Sequence, residues 1–177
     1  MRRLLVILVA VTTFVLIGVP AHAQSSCDFL TGGGFIVRDS GAKANFGVAG
    51  GCKHGSPTWG HLQYIDHGMF LVAHWTSITA YLEDDQGDPN RRRICGTART
   101  NLFGDVDFVV WAKDAGEPGR NDEFIIRLKK FGQTVYTTEN DQDHTLGGSG
   151  RGGGNIQLHK PNPSTTGSFG GSCPADQ

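Results

Sequence analysis

The sequence has no surplus of positive charge. Its 16 lysines and arginines face 17 aspartates and glutamates, for a formal charge of −1. Nucleic acids and anionic membrane surfaces are held by a net positive field, so neither is expected as a partner. Beyond the first twenty residues there is no long apolar run, so no later membrane span is expected. No Cys-x-x-Cys or Cys-x-x-His pair occurs, which removes the usual zinc spacings. No window supports a helix longer than two turns. Neither a Gly-x-Ser-x-Gly elbow nor a His-Glu-x-x-His pair occurs, so the common hydrolase signatures are missing. A chain of 177 residues has room for one domain and not for a separate cofactor domain.

What is present begins with an export signal. Met1–Arg3 is basic, Leu4–Val19 is apolar, Pro20 ends the run, and Ala21-His22-Ala23 has the small-x-small form that signal peptidase reads. Residues 1–23 therefore read as a signal peptide, and the remainder as secreted or periplasmic. Losing Arg2 and Arg3 makes the remainder more acidic. Cys27 is preceded by Gln24-Ser25-Ser26, which lacks the apolar residue of a lipidation site. Four cysteines remain: Cys27, Cys52, Cys95 and Cys173. An even count in an exported chain predicts two disulfides. Of the three pairings, Cys27–Cys173 with Cys52–Cys95 is favoured, the first tying the ends together and the second linking two strands.

The remaining pattern is that of strands. Short alternating runs are separated by glycine, proline, asparagine and aspartate. Strands are predicted at Gly34–Val37, Lys43–Ala49, Thr58–Asp66, Met69–Glu83, Arg91–Asn101, Asp105–Lys113, Glu123–Lys130, Thr134–Thr138 and Asn155–His159. In Glu123–Lys130, Phe124, Ile126 and Leu128 share one face, with Glu123, Arg127 and Lys129 opposite. One wet and one buried face is the antiparallel arrangement. The expected fold is an all-β antiparallel sandwich of about nine strands, jelly-roll-like, over residues 24–160; a closed barrel is the alternative. Residues 161–177 are rich in proline, serine, threonine and glycine. They are expected to lack the apolar content to order themselves, with Cys173 available to pin them.

Several stretches resemble a known family. They are Thr31-Gly32-Gly33-Gly34-Phe35-Ile36-Val37, Ala44-Asn45-Phe46-Gly47-Val48, the loop from Asp114 through Asp122-Glu123-Phe124, Val135-Tyr136, and Gly152-Gly153-Gly154-Asn155-Ile156-Gln157-Leu158-His159-Lys160. Together they resemble the post-COAP domain of bacterial exported proteins, over nearly the whole chain after the leader. The resemblance implies an extracytoplasmic β-rich domain and no established activity.

Candidate chemistry is sparse. Asp114, Glu117, Asn121, Asp122 and Glu123 place five oxygen-bearing side chains in one glycine-containing loop. Calcium takes about 6–8 oxygens from a loop that can curl, so Asp114, Glu117, Asn121 and Asp122 are the candidate calcium ligands. The same residues also suit a plain structural turn. Ser77, His74 and Asp107 are the residues a secreted hydrolase would draw on. His61, His67 and His74 lie in or between adjacent strands without a fixed metal spacing. Trp59, Trp75 and Trp111 could stack on sugars or pack in the core, and Trp59, after Pro57-Thr58, is the candidate ligand-binding residue. The leading expectation is a non-enzymatic binding or envelope-associated structural module. Its partner would be a glycan or a protein, with no cofactor beyond a possible calcium ion.

Overall fold

The computed structural model describes residues 27–177. The expected signal peptide lies outside the described residues. The chain is all-β, as the alternation predicts. Its strands are β1 (Phe29–Val37), β2 (Lys43–Gly51), β3 (Trp59–Asp66), β4 (Leu71–Glu83), β5 (Arg91–Thr100), β6 (Gly104–Lys113), β7 (Glu123–Lys130), β8 (Gln133–Thr137), β9 (Gly154–His159) and the two-residue β10 (Gly170–Gly171). From β1 to β8 each strand pairs antiparallel with its chain neighbour, and β9 returns to lie beside β1.

One sheet makes both walls of the core because it bends between β3 and β4. These strands pair only from Gln63 to Asp66 against Leu71 to His74, and then diverge. The two halves face each other across buried Tyr64, Tyr81, Phe108 and Phe124. Phe46 of β2 stacks on Phe124 of β7, with centroids 3.9 Å apart. β7 and β1, near the two ends of the curled sheet, are bridged by residues 144–147. Phe124 N–H donates to the His144 carbonyl at 3.0 Å, Leu146 N–H to Asp122 at 3.0 Å, and Gly147 N–H to Phe35 at 2.8 Å. The result combines sandwich-like packing with a barrel-like curl.

β1 begins at Phe29, five residues before the predicted start. Gly32-Gly33-Gly34 before a strand reads as a bulge or a close backbone approach, because glycine in a strand leaves room for one. Here the missing side chains make the pairing possible. A Cβ on Gly32 would lie 2.7 Å from Ile156 Cγ1, and one on Gly34 would lie 2.3 Å from the Gly153 carbonyl oxygen. The glycines on both strands let β1 and β9 meet backbone to backbone.

The tail is pinned by Cys173, which bonds Cys95. Residues 161–177 are ordered against the domain. After diverging from β3, the second half of β4 has an open edge. β10 takes it, pairing Gly170 with Tyr81 and Gly171 with Ala80. Phe169 packs beside Tyr81, at a centroid distance of 5.5 Å, and Ala175 is buried on Ala80, Cys95 and Val109. A few well-placed apolar anchors and a sheet edge outweigh the polar composition.

The disulfide pairing also differs. The bonds are Cys27–Cys52 and Cys95–Cys173, with Cα separations of 5.7 Å and 5.3 Å. Cys27 precedes β1 and Cys52 follows β2. Because Phe29 pairs with Gly51, the two cysteines come out side by side. The expected Cys52–Cys95 bond would need β2 beside β5, but β3 and β4 lie between them. With Cys95 carried to the outer face, the tail cysteine closes on it rather than on Cys27. Two disulfides fit an oxidising, extracytoplasmic compartment. No described helix is long and apolar enough to cross a membrane.

Candidate functional site

The acidic loop between β6 and β7 has a structural task. β9 pairs with β1 along one edge, so alternate N–H groups on its other edge face away. The Ile156 N–H donates to Asp122 Oδ2 at 2.7 Å, and the Leu158 N–H to Asp114 Oδ2 at 2.8 Å. Asn155 Nδ2 donates to Glu117 at 3.1 Å. The remaining oxygens of Asp122 and Asp114 accept the amides of Ala115 and Gly116, each at 2.9 Å. Carboxylates thus cap an edge that would otherwise template pairing with another chain. Burial, with Asp114 and Glu117 nearby, raises the Asp122 pKa despite its two amide bonds. Asn121 is exposed. No group of three or more His, Cys, Asp or Glu side chains converges on a metal position among the described residues.

Trp59 sits on the outer face at the start of β3, half-buried. Phe29 stands edge-on to it, with centroids 6.3 Å apart, and Lys53 Nζ lies 5.1 Å over its ring. Phe29 in turn stacks on His159 at 4.3 Å. The strip borders a cleft of about 120 Å³ with Asn162, Ser164 and Thr165. Among the described residues, no hydrogen bond joins the hydrolase candidates Ser77, His74 and Asp107 to one another. Ser77 Oγ hydrogen-bonds Thr97 at 2.8 Å, while His74 lies exposed beside Trp75. His67 bonds Asn45 at 2.8 Å.

A cleft of about 430 Å³ forms on the outer face of β6 and β7. Alternation that buries Val110, Ala112, Phe124 and Ile126 turns Trp111, Ile125 and Arg127 outward. These three make the floor, and Asp85, Gln86, Arg91, Glu139 and Asp176 make the walls. Arg127 Nε donates to Glu139 Oε2 at 2.6 Å, and its guanidinium lies 5.1 Å from the Trp111 ring centre. The hydrogen bond to Glu139 raises the Arg127 pKa. Burial opposes charge on Glu139, but bonds from Arg127 and Thr137 outweigh it and hold its pKa below the usual range. Both groups are therefore fixed in charge. Arg91 also holds Glu123 at 2.7 Å. Sequence reasoning named Trp111 among three tryptophans without preferring it. The walls come from the β4–β5 turn, the segment after β8 and the tail, and nothing in their spacing foretells that they meet.

Two buried ion pairs brace the core. Arg92 Nη2 reaches Asp28 Oδ2 at 2.5 Å, and Tyr81 donates to Asp28 Oδ1 at 2.7 Å. Toward the other end, Arg38 Nη1 reaches Asp66 Oδ2 at 2.5 Å, and Tyr136 donates to the same oxygen at 2.7 Å. Burial works against charge on Asp66, but the Tyr136 hydroxyl, the Met69 and Gly68 amides and Arg38 together lower its pKa. Burial raises the pKa of both Tyr64 and Tyr136, so the pair stays protonated. Every polar atom named in these clusters is already engaged, which suits bracing better than chemistry.

No family model matches the chain, and comparison with curated proteins and with solved structures returned no match.

Proposed function

We propose that the protein is an exported, non-enzymatic binding module whose outer-face cleft takes a glycan. The observation that carries this reading is the Trp111 ring set in a cleft walled by paired guanidinium and carboxylate groups. A sugar ring offers an apolar C–H face to an aromatic and hydroxyls that donate and accept together. Neutral hydroxyls can bridge the Arg127–Glu139 pair without displacing either charge. A charged ligand would have to compete with a partner already bound at 2.6 Å. The signal-like leader and the resemblance to the post-COAP domain support export to an extracytoplasmic location.

A glycan array followed by titration of the hits tests the reading. Binding is expected, with at least a tenfold loss in Trp111→Ala. Because Trp111 also packs against the tail, exposed Gln86→Ala serves as the second variant, expected to weaken binding without lowering the melting temperature. A blank array, or hits indifferent to both changes, overturns the proposal.

A further inference from the structure

The exposed large apolar side chains gather at one end of the sheet. Met69 and Phe70 sit in the β3–β4 turn, 49% and 79% exposed. Leu102 sits in the β5–β6 turn at 48%, and Phe131 in the β7–β8 turn at 91%. These turns close the β3–β4, β5–β6 and β7–β8 hairpins, which the antiparallel order brings to one end in a row, beyond the polar β1–β2 turn of residues 38–42. The row is tied across. Asn101 Nδ2 donates to the Phe70 carbonyl at 2.7 Å, and Lys130 Nζ to the Phe103 carbonyl at 2.5 Å. Phe70 and Phe131 hold left-handed backbone, with φ of 53° and 50°, a region that bulky residues rarely adopt. The opposite end is built differently. Its connections, residues 52–58, 84–90 and 114–122, carry polar and charged side chains.

We infer that the row of apolar hairpin tips is a docking surface for the interface of a lipid bilayer. Two observations select lipid over protein. The first is area. At roughly 200 Å² for each side chain, the exposed parts of Met69, Phe70, Val72, Leu102 and Phe131 amount to roughly 600 Å². A stable protein interface buries about 800 Å² on each partner, in one closely packed patch. Here the area is smaller and split over three tips. A fluid bilayer accepts separate side chains without a matching shape, and aromatic and aliphatic groups enter its headgroup boundary. The second is charge. Arg99 is paired with Asp105 at 3.1 Å, and Lys130 is turned back onto the Phe103 carbonyl. Lys43 at the same end lies 4.4 Å over the Phe35 ring, and with these cations engaged and the chain slightly acidic overall, the surface suits a zwitterionic headgroup layer and does not need an anionic one. This mode of attachment is separate from the outer-face cleft and stands or falls without it.

Flotation of the purified protein with vesicles of phosphatidylcholine alone tests the inference. The protein is expected to rise with the vesicles, to an extent unchanged by added salt. Phe70→Ser combined with Phe131→Ser should lower partitioning at least tenfold with no fall in melting temperature, because neither ring is buried in the fold. In Phe131→Trp, vesicles brominated in their acyl chains should quench emission that the unaltered protein does not lose. No flotation, flotation retained by the double variant, or flotation only with anionic lipid overturns the inference. So does a dimer, seen by sedimentation without lipid, that the double variant dissolves, since the tips would then meet a second copy.

Discussion

At one end of the sheet Asp28 is buried against Arg92 and Tyr81; toward the other, Asp66 is buried against Arg38 and Tyr136. The residue types match, but their support does not. Asp28 accepts from Arg92 through Nε and Nη2 and from the Tyr81 hydroxyl. Asp66 accepts from Arg38 and Tyr136, and also from the backbone amides of Gly68 and Met69 at 2.8 Å and 3.1 Å. The Asp28 end is further held by Cys27–Cys52, by Phe169 beside Tyr81 and by longer polar loops. The Asp66 end has short turns whose largest side chains face solvent. One end therefore depends on side chains meeting across the fold. The other is secured by its own turn, and its tips remain open to a partner.

The sharpest way to break this comparison is to remove each arginine in turn. Arg92→Met leaves Asp28 buried with one strong donor, so urea unfolding should show a loss of about 3–5 kcal/mol. Arg38→Met leaves Asp66 with a hydroxyl and two amides; it also frees Asp141, which stands at the half-buried edge of the cluster, and a smaller loss of about 1–3 kcal/mol is expected. Equal losses would mean that the two carboxylates are equally dependent on their arginines, and the distinction between the ends would fail.

The second test acts on the tail. Cys95 and Cys173 are separated by 78 residues and Cys27 and Cys52 by 25. Loop entropy alone would make the longer closure worth about 1 kcal/mol more, within a range of about 2–4 kcal/mol per bond. Replacing Cys95 and Cys173 together with serine should cost about 2–4 kcal/mol. It should also speed amide exchange at Ser172, whose N–H donates to the Thr79 carbonyl at 3.1 Å. Exchange at Gly68 and Met69 should not change. If exchange at the Asp66 end rises as well, the two ends are one cooperative unit.

These contrasts were unequally visible in the sequence. The strands were legible because polar and apolar residues alternate over most of their length, as in Glu123–Lys130, whose predicted limits are those observed. The early part of β1 was only half legible: its glycines signal a close backbone approach, but that the approach is a strand pairing from Phe29 shows only once β9 is in place. Of the tail only Cys173 was legible as an anchor, because composition measures average hydrophobicity, whereas Phe169 and Ala175 act as single contacts. The disulfide pairing depended on strand order, which alternation does not encode. The acidic loop displayed its carboxylates in the sequence but not their partners, the amides of Ile156 and Leu158. The outer-face cleft was least legible, since Trp111 meets Glu139 and Asp176 only through tertiary folding.

The smallest expected effect sharpens the comparison most. Phe131 and Gly132 have successive positive φ values of 50° and 76°, the pattern of a type I′ hairpin turn, which favours Asn or Gly at both positions. A left-handed conformation costs an ordinary residue roughly 1–2 kcal/mol, and a ring 91% exposed recovers almost nothing from the core. Phe131→Gly should therefore be at least as stable as the unaltered protein, by up to about 1 kcal/mol once glycine's greater unfolded-state freedom is counted against the relieved strain. Thermal unfolding without lipid measures this directly. The same change made where an aromatic supports the core, Phe124→Gly, should be severely destabilising, because that ring is fully buried against Phe46 and Tyr64. A stability loss above about 1 kcal/mol in Phe131→Gly would give the exposed ring a folding role. A neutral or positive change would mean that the fold carries an aromatic it does not need, at the end where its backbone is least suited to one.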